Sequence, residues 1–206
     1  MRESRPIEAS VFAEARSRGL DPVIARIVAG RISDETPLDV VLDPQLQHIA
    51  PPSELTDITK AADRLQTAIR DGERIGVLTD YDADGLTSHA VITESLQRFG
   101  VSPENISHWI GHRLEDGYGI SETLVDRLLE SLPVPQVVIS ADCGSSDEVQ
   151  IVRLKDAGVD VIVTDHHRVS DRGPPASAWA VVNPNRADCR YPDKAIAGCM
   201  VSWLVM

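Results

Sequence analysis

Ile75-Gly76-Val77-Leu78-Thr79-Asp80-Tyr81-Asp82-Ala83-Asp84-Gly85 begins as a short apolar run and breaks into three aspartates and a glycine. The apolar part reads as a buried strand, because Ile, Val and Leu without polar alternation suit a sheet covered on both faces. The acidic part reads as the turn beyond it, where Asp and Gly are at home. Two later runs repeat the design. Val137-Val138-Ile139-Ser140-Ala141 leads into Asp142-Cys143-Gly144, and Val161-Ile162-Val163-Thr164 leads into Asp165-His166-His167. Strands are predicted over 75–79, 106–110, 136–140, 159–164 and 179–182, with helices over 86–99, 121–130 and 147–157 between them. Strands alternating with helices of this length make βαβ units. The fold class is α/β: an open, doubly wound, mainly parallel sheet with helices on both faces, preceded by a helical N-terminal segment. Open sheets of this kind bind their ligands beyond the carboxyl ends of the strands. Three strands therefore deliver carboxylates and two imidazoles to one sheet edge.

Upstream of this region the chain has another character. Val23, Ile24, Ile27 and Val28 are spaced as the core face of a helix that starts near Pro22. A second helix is expected over 57–69, with Ile58, Ala61, Ala62, Leu65, Ala68 and Ile69 at core spacing. Asp43-Pro44 and Pro51-Pro52-Ser53 mark loops. The organisation is thus a helical leader over 1–70 and an α/β domain over 71–206.

Composition bounds the function. The chain has 206 residues, 42% of them hydrophobic and 25% charged, so it has the means to fold around a core. Aromatics at 4% are too few for a protein that grips single strands mainly by stacking bases. The net charge of −12 excludes a simple cationic nucleic-acid binder. It leaves open an enzyme on nucleic acid, since bound metal ions neutralise a carboxylate cluster locally. Cys143, Cys189 and Cys199 are an odd count without CxxC spacing, which fits a reducing cytosol and disfavours a disulfide framework or a zinc cluster. No apolar run approaches a membrane span, and the first residues lack a signal-peptide core. A cytoplasmic location, with no membrane partner, is the expectation.

Clustered carboxylates repel one another, and a divalent cation resolves the repulsion. In an extended segment Asp80, Asp82 and Asp84 would project to one side, and Asp142 and His166 would close the shell from neighbouring strands. An oxygen-rich site with imidazole suits manganese or magnesium, and two such ions drive phosphodiester hydrolysis. An EF-hand would need its bidentate Glu at position 91, which is Val91. A strand-end Asp-x-Asp of the haloacid dehalogenase kind would need Thr where Leu86 stands, and leaves Asp165-His166-His167 without a task. A purely structural turn explains one of the three loops and not their coincidence.

Asp82-Ala83-Asp84, Asp142 and Asp165-His166-His167, in this order and spacing, resemble the DHH phosphoesterase superfamily. Its single-strand-specific exonuclease branch is resembled more narrowly through Thr79–Ser88, Arg113–Ile120, Val182-Asn183-Pro184-Asn185 and Ala195-Ile196-Ala197-Gly198. The resemblance implies that Asp82, Asp84, Asp142 and His166 hold metal, with His167 on the scissile phosphate. Asp80, where many relatives carry Asn, would be a partial ligand or stand just outside the ligand set. Arg113, Gly117 and Tyr118 would border the nucleic-acid channel, Arg113 pairing with phosphate. The implied activity is a two-metal, Mn2+- or Mg2+-dependent 5′-to-3′ exonuclease on single-stranded DNA in repair and recombination, with a helicase and a single-strand-binding protein as partners. A DHH phosphoesterase on short oligonucleotides or cyclic dinucleotides, and a non-catalytic scaffold of the same fold, are the rival readings. The superfamily's further aspartate, from a strand beyond Gly198, has no counterpart before Met206, so the α/β domain is expected to be cut short at its C-terminal end. His48, His89, His108, His112 and Cys143 are read as packing or surface residues.

Overall fold

A computed structural model describes residues 5–206. The chain divides into two compact units, Met1–Ile49 and Ala50–Met206. The first holds α1 (Ala9–Ser17), α2 (Pro22–Ala29) and α3 (Leu38–Leu42) around Val11, Ala15, Ala25, Ala29 and Leu38. Asp21 caps α2 by accepting the Val23 amide at 2.8 Å, with Pro22 as the first helical residue. The sequence expectation for this helix is corrected in one respect. Its buried face is Ala25 and Ala29, with Val28 partly buried against the same core, while Val23, Ile24 and Ile27 are 65%, 48% and 48% exposed.

The second unit begins with α4 (Ile58–Asp71), so this helix lies with the sheet and not with the leader. There follow β1 (Ile75–Thr79), α5 (Ala83–Arg98), β2 (Ile106–Ile110), α6 (Glu122–Glu130), β3 (Val137–Ala141), α7 (Glu148–Asp156), β4 (Asp160–Thr164), β5 (Ala180–Val182) and α8 (Gly198–Val205). The five strands form one parallel sheet in the order β2-β1-β3-β4-β5. Helices α4, α5 and α8 cover one face, and α6 and α7 cover the other. The α6–α7 face is sealed by Leu78, Leu124, Leu128, Val138, Ile151, Leu154, Val161 and Val163. Every residue of β1 and β3 is buried, which accounts for their unbroken apolar character.

The free edge at β5 is closed by a side chain. Asp57, with φ 63°, turns its carboxylate to accept the Val181 amide at 3.1 Å and the Arg186 guanidinium at 2.6 Å. An edge donor that would otherwise face solvent is thereby satisfied. Strand order reverses between β1 and β3. Open α/β sheets open a crevice there, beyond the strand ends. Among the described residues no helix is long and apolar enough to cross a membrane.

Candidate metal centre

The β1 end is shaped by a helix start. Asp82 is the residue before α5, and its Oδ1 accepts the amides of Asp84 and Gly85 at 2.9 and 3.0 Å. Those amide hydrogen bonds hold the Asp82 carboxyl below its usual range. The turn is tight at Gly85, where a Cβ would collide with the Asp80 carbonyl oxygen. The expectation of one extended segment from Asp80 to Asp84 is therefore corrected. Asp84 sits in the first turn of α5, because Asp82 caps a helix there instead of continuing the strand.

At the β3 end, Asp142 takes φ 61°, a left-handed conformation that aspartate tolerates better than most residues. Its side chain is 1% exposed, and its Oδ1 has no hydrogen-bond donor. Burial, then the charges of Asp84 and Asp82, push its carboxyl up to about 8. The β4 end supplies Asp165 and the two histidines. His166 places Nδ1 2.7 Å from the Ile196 carbonyl oxygen. That oxygen only accepts, so Nδ1 carries a proton, and in the neutral ring Nε2 is the atom left to bind. Nε2 lies 3.1 Å from Asp142 Oδ1 and 3.5 Å from Asp84 Oδ2. Nε2 thus faces a buried carboxylate oxygen that accepts no hydrogen bond from the chain.

This juxtaposition is the test of fit for a cation, and the residues pass it. Neighbouring ligands of an octahedral site with bonds of about 2.1 Å lie about 3 Å apart. Two sets of donor atoms each converge within 4.8 Å: Asp80, Asp82 and Asp142, and Asp142, His166 and His167. Asp142 belongs to both sets. The chemistry of oxygen donors with imidazole matches Mn2+ or Mg2+.

Asp84 lies outside these two sets. Its carboxylate accepts the Gly198 amide at 2.7 Å and the Cys199 amide at 2.8 Å, the first N–H groups of α8. A helix start attracts negative charge in this way. Gly198 also has no room for a side chain, since a Cβ there would be 2.7 Å from Asp142 Oδ1.

Asp165 and His167 form the other side. Asp165 Oδ1 accepts the His166 amide at 2.7 Å, the His167 amide at 3.0 Å and His167 Nδ1 at 2.8 Å, and Oδ2 accepts the Ser145 amide at 3.0 Å. Burial alone would raise this carboxyl; the hydrogen bonds from His167 and Ser145 outweigh it and leave it at about 2. The Asp165 hydrogen bond raises the His167 imidazole in turn. The Tyr118 hydroxyl lies 2.9 Å from the same Nδ1, and burial with nearby carboxylates keeps that phenol protonated. Asp80, 5% exposed, is raised by burial.

Tyr118 thus reaches the cluster, whereas Gly117 is an exposed turn residue with φ 77°. Arg113 is exposed, its guanidinium 5.3 Å above the Tyr81 ring. His89 and His108 bond to each other, with His89 also bonded to Thr79 and pushed down to about 4 by burial. The Cys143 thiol is buried and pushed up, as a packing residue should be. Ser145, the Gly198 and Cys199 amides, and the Asn183-Pro184-Asn185 loop all take part without being singled out as site residues by sequence. Gly198 and the two asparagines fall in segments the family resemblance had marked, which was the available signal.

The family model described as DHH family, N-terminal domain, matches residues 74–206. The single-stranded-DNA-specific exonuclease RecJ of Salmonella typhimurium is 35% identical over 205 residues, covering 100% of this chain and 34% of the relative. A crystal structure of exonuclease RecJ bound to manganese has a TM-score of 0.64 at 34% identity, covering 73% of this chain and 36% of that one. RecJ from Thermus thermophilus in complex with Mn2+ has a TM-score of 0.61 at 31% identity, covering 80% and 22%. The chain spans about a third of the length of the curated relatives it matches. The match runs from the residue before β1 to Met206 and so takes in all three strand ends: the chain belongs to the DHH family.

Proposed function

We propose that this chain carries the metal-binding machinery of a two-metal phosphodiesterase that degrades single-stranded DNA from a 5′ end, as its resemblance to RecJ implies. The observation that carries the reading is Asp142: a buried carboxylate, shared by two donor sets, with an oxygen that no proton donor satisfies. Two divalent cations at such a site supply a hydroxide at neutral pH and neutralise charge building on the phosphate. Asp80, Asp82 and Asp142 would hold one, and Asp142 with His166 the other, with Asp84 beside His166 Nε2 at 3.5 Å. Asp165 keeps the Nδ1 proton of His167 engaged, so Nε2 is free to meet a phosphate oxygen. Arg113 and Tyr118 would guide the strand past the cluster.

The reading extends to a cytoplasmic role in DNA repair and recombination, with a helicase and a single-strand-binding protein as partners. The test is the full-length protein on a 5′-labelled single strand, on the matching duplex and on di- and trinucleotides, with Mn2+ or Mg2+. Processive loss of the single strand, abolished by chelation and by Asp142→Asn, is expected. Turnover of the short substrates alone, or degradation that survives Asp142→Asn within a few fold, overturns it.

A further inference from the structure

The loop after β5 carries two asparagines that the proposed chemistry does not use. Asn183 is fully buried. Its Nδ2 donates to the Ser145 hydroxyl at 2.7 Å and to the His167 backbone carbonyl at 2.9 Å, while its Oδ1 accepts the Asn185 amide at 2.8 Å. Asn185 Nδ2 donates to the carbonyls of His166 and Lys194, at 2.5 and 3.1 Å. Lys194 closes the loop through the carbonyls of Pro184 and Cys189.

A loop that merely needed tying would be served by the Lys194 bonds. Both side-chain amides instead reach across to another strand end, onto the carbonyls of two consecutive histidines. Carboxamides suit this task, having two donors and an acceptor on one rigid plane. Fixing the carbonyls at 166 and 167 fixes the peptide planes that follow each histidine, and with them the directions in which the two rings leave the chain. Through Ser145, whose amide bonds Asp165, Asn183 also braces the carboxylate that holds His167.

We propose that Asn183 and Asn185 are positioning residues with separable tasks. Asn185 acts through His166 on metal affinity, and Asn183 acts through His167 and Asp165 on the phosphate. The inference deepens the functional reading above and rests on it.

The test compares Asn185→Ala and Asn183→Ser in the full-length protein, with Mn2+ affinity read by electron paramagnetic resonance and kcat and KM read on single-stranded DNA. Residues that orient ligands typically change metal affinity or activity by 10- to 100-fold. Asn185→Ala should weaken Mn2+ binding about tenfold, with kcat recovering in excess Mn2+. Asn183→Ser should keep its Mn2+ affinity within about twofold, yet lose kcat about tenfold at unchanged KM, without recovery in excess Mn2+. General loosening would make both variants respond to Mn2+ alike, and that result, or unchanged Mn2+ affinity in Asn185→Ala, overturns the proposal. Asn185 is only half-buried, so its variant decides the matter if Asn183→Ser does not fold. Mn2+ affinity is read without turnover. A wild-type protein that bound Mn2+ and cut no single strand would defeat the functional reading, while the affinity of Asn185→Ala would still decide whether Asn185 acts through His166.

Discussion

Asp142 and Asp165 follow neighbouring strands, β3 and β4, and both side chains are almost wholly out of water, at 1% and 2% exposed. Their electrostatic situations are opposite. Asp165 accepts four hydrogen bonds from the chain and is held at about 2; Asp142 has an oxygen with no donor, faces the charges of Asp84 and Asp82, and is pushed up to about 8. Burial is common to both, so burial does not distinguish a structural carboxylate from one that receives a cation. The supply of protein donors does. One strand end is completed by the fold, and its neighbour keeps an oxygen that the fold does not satisfy.

This contrast is open to direct attack. The largest effect is expected from Asp142→Asn, which keeps the left-handed backbone accessible but removes the shared charge. Mn2+ binding should be lost in a titration and nuclease turnover should fall about 1000-fold, as removal of a principal charge-stabilising group does. A variant that still bound the ion as tightly would show that Asp142 is another Asp165. Next is Asp165→Ala, which strands the buried amide of Ser145 and the part-buried amides of His166 and His167. A denaturant melt of the metal-free protein should lose about 3 kcal/mol, whereas Asp142→Asn should lose none.

The third is pH. The folded Asp142 carboxyl lies above its unfolded value, so the folded state holds the extra proton. Metal-free stability should therefore decline as pH rises from about 4 to about 8, by ~10 °C in melting temperature. Asp165 works the other way: its contribution is present above about 4 and lost as pH falls towards 2. A thermal-melt series should show a steeper alkaline decline in wild type than in Asp142→Asn, where the raised Asp80, Asp147 and His167 still contribute. A smaller effect is expected from Gly198→Ala, whose Cβ would press on Asp142 Oδ1 and lower Mn2+ affinity about tenfold. His89→Gln, outside both donor sets, should stay within about twofold in the same titration.

The sheet was legible because β1, β3 and β4 are buried on both faces, and burial on both faces writes an unbroken apolar run into the sequence. The carboxylates were legible because they stand directly after those runs. What escaped was decided by competition between neighbours in space. The start of α5 at Ala83 follows from Asp82 capping the helix, and the same Asp-x-Asp spacing reads equally well as strand. In Pro22–Ala29 every residue but Arg26 is apolar, so periodicity did not single out the small face, Ala25 and Ala29, that the helix buries. Asn183 and Asn185 escaped because a buried amide looks in sequence like any turn residue. Its partners, Ser145 and the carbonyls of the two histidines, lie far from it along the chain.

The clamp of the Gly198 and Cys199 amides on Asp84 has a consequence for the order in which the protein is made. Residues 84 and 198 are separated by most of the α/β unit, and Gly198 also packs against Asp142. Contacts of such sequence separation form late, and a growing polypeptide folds from its N-terminal side first. A ribosome-bound chain that ends before α8 would already display its aspartates with neither helix start nor Ile196 carbonyl to arrange them. Metal capture would thus wait for Ile196 and the start of α8 to emerge, long after the three aspartates beyond β1 have left the ribosome.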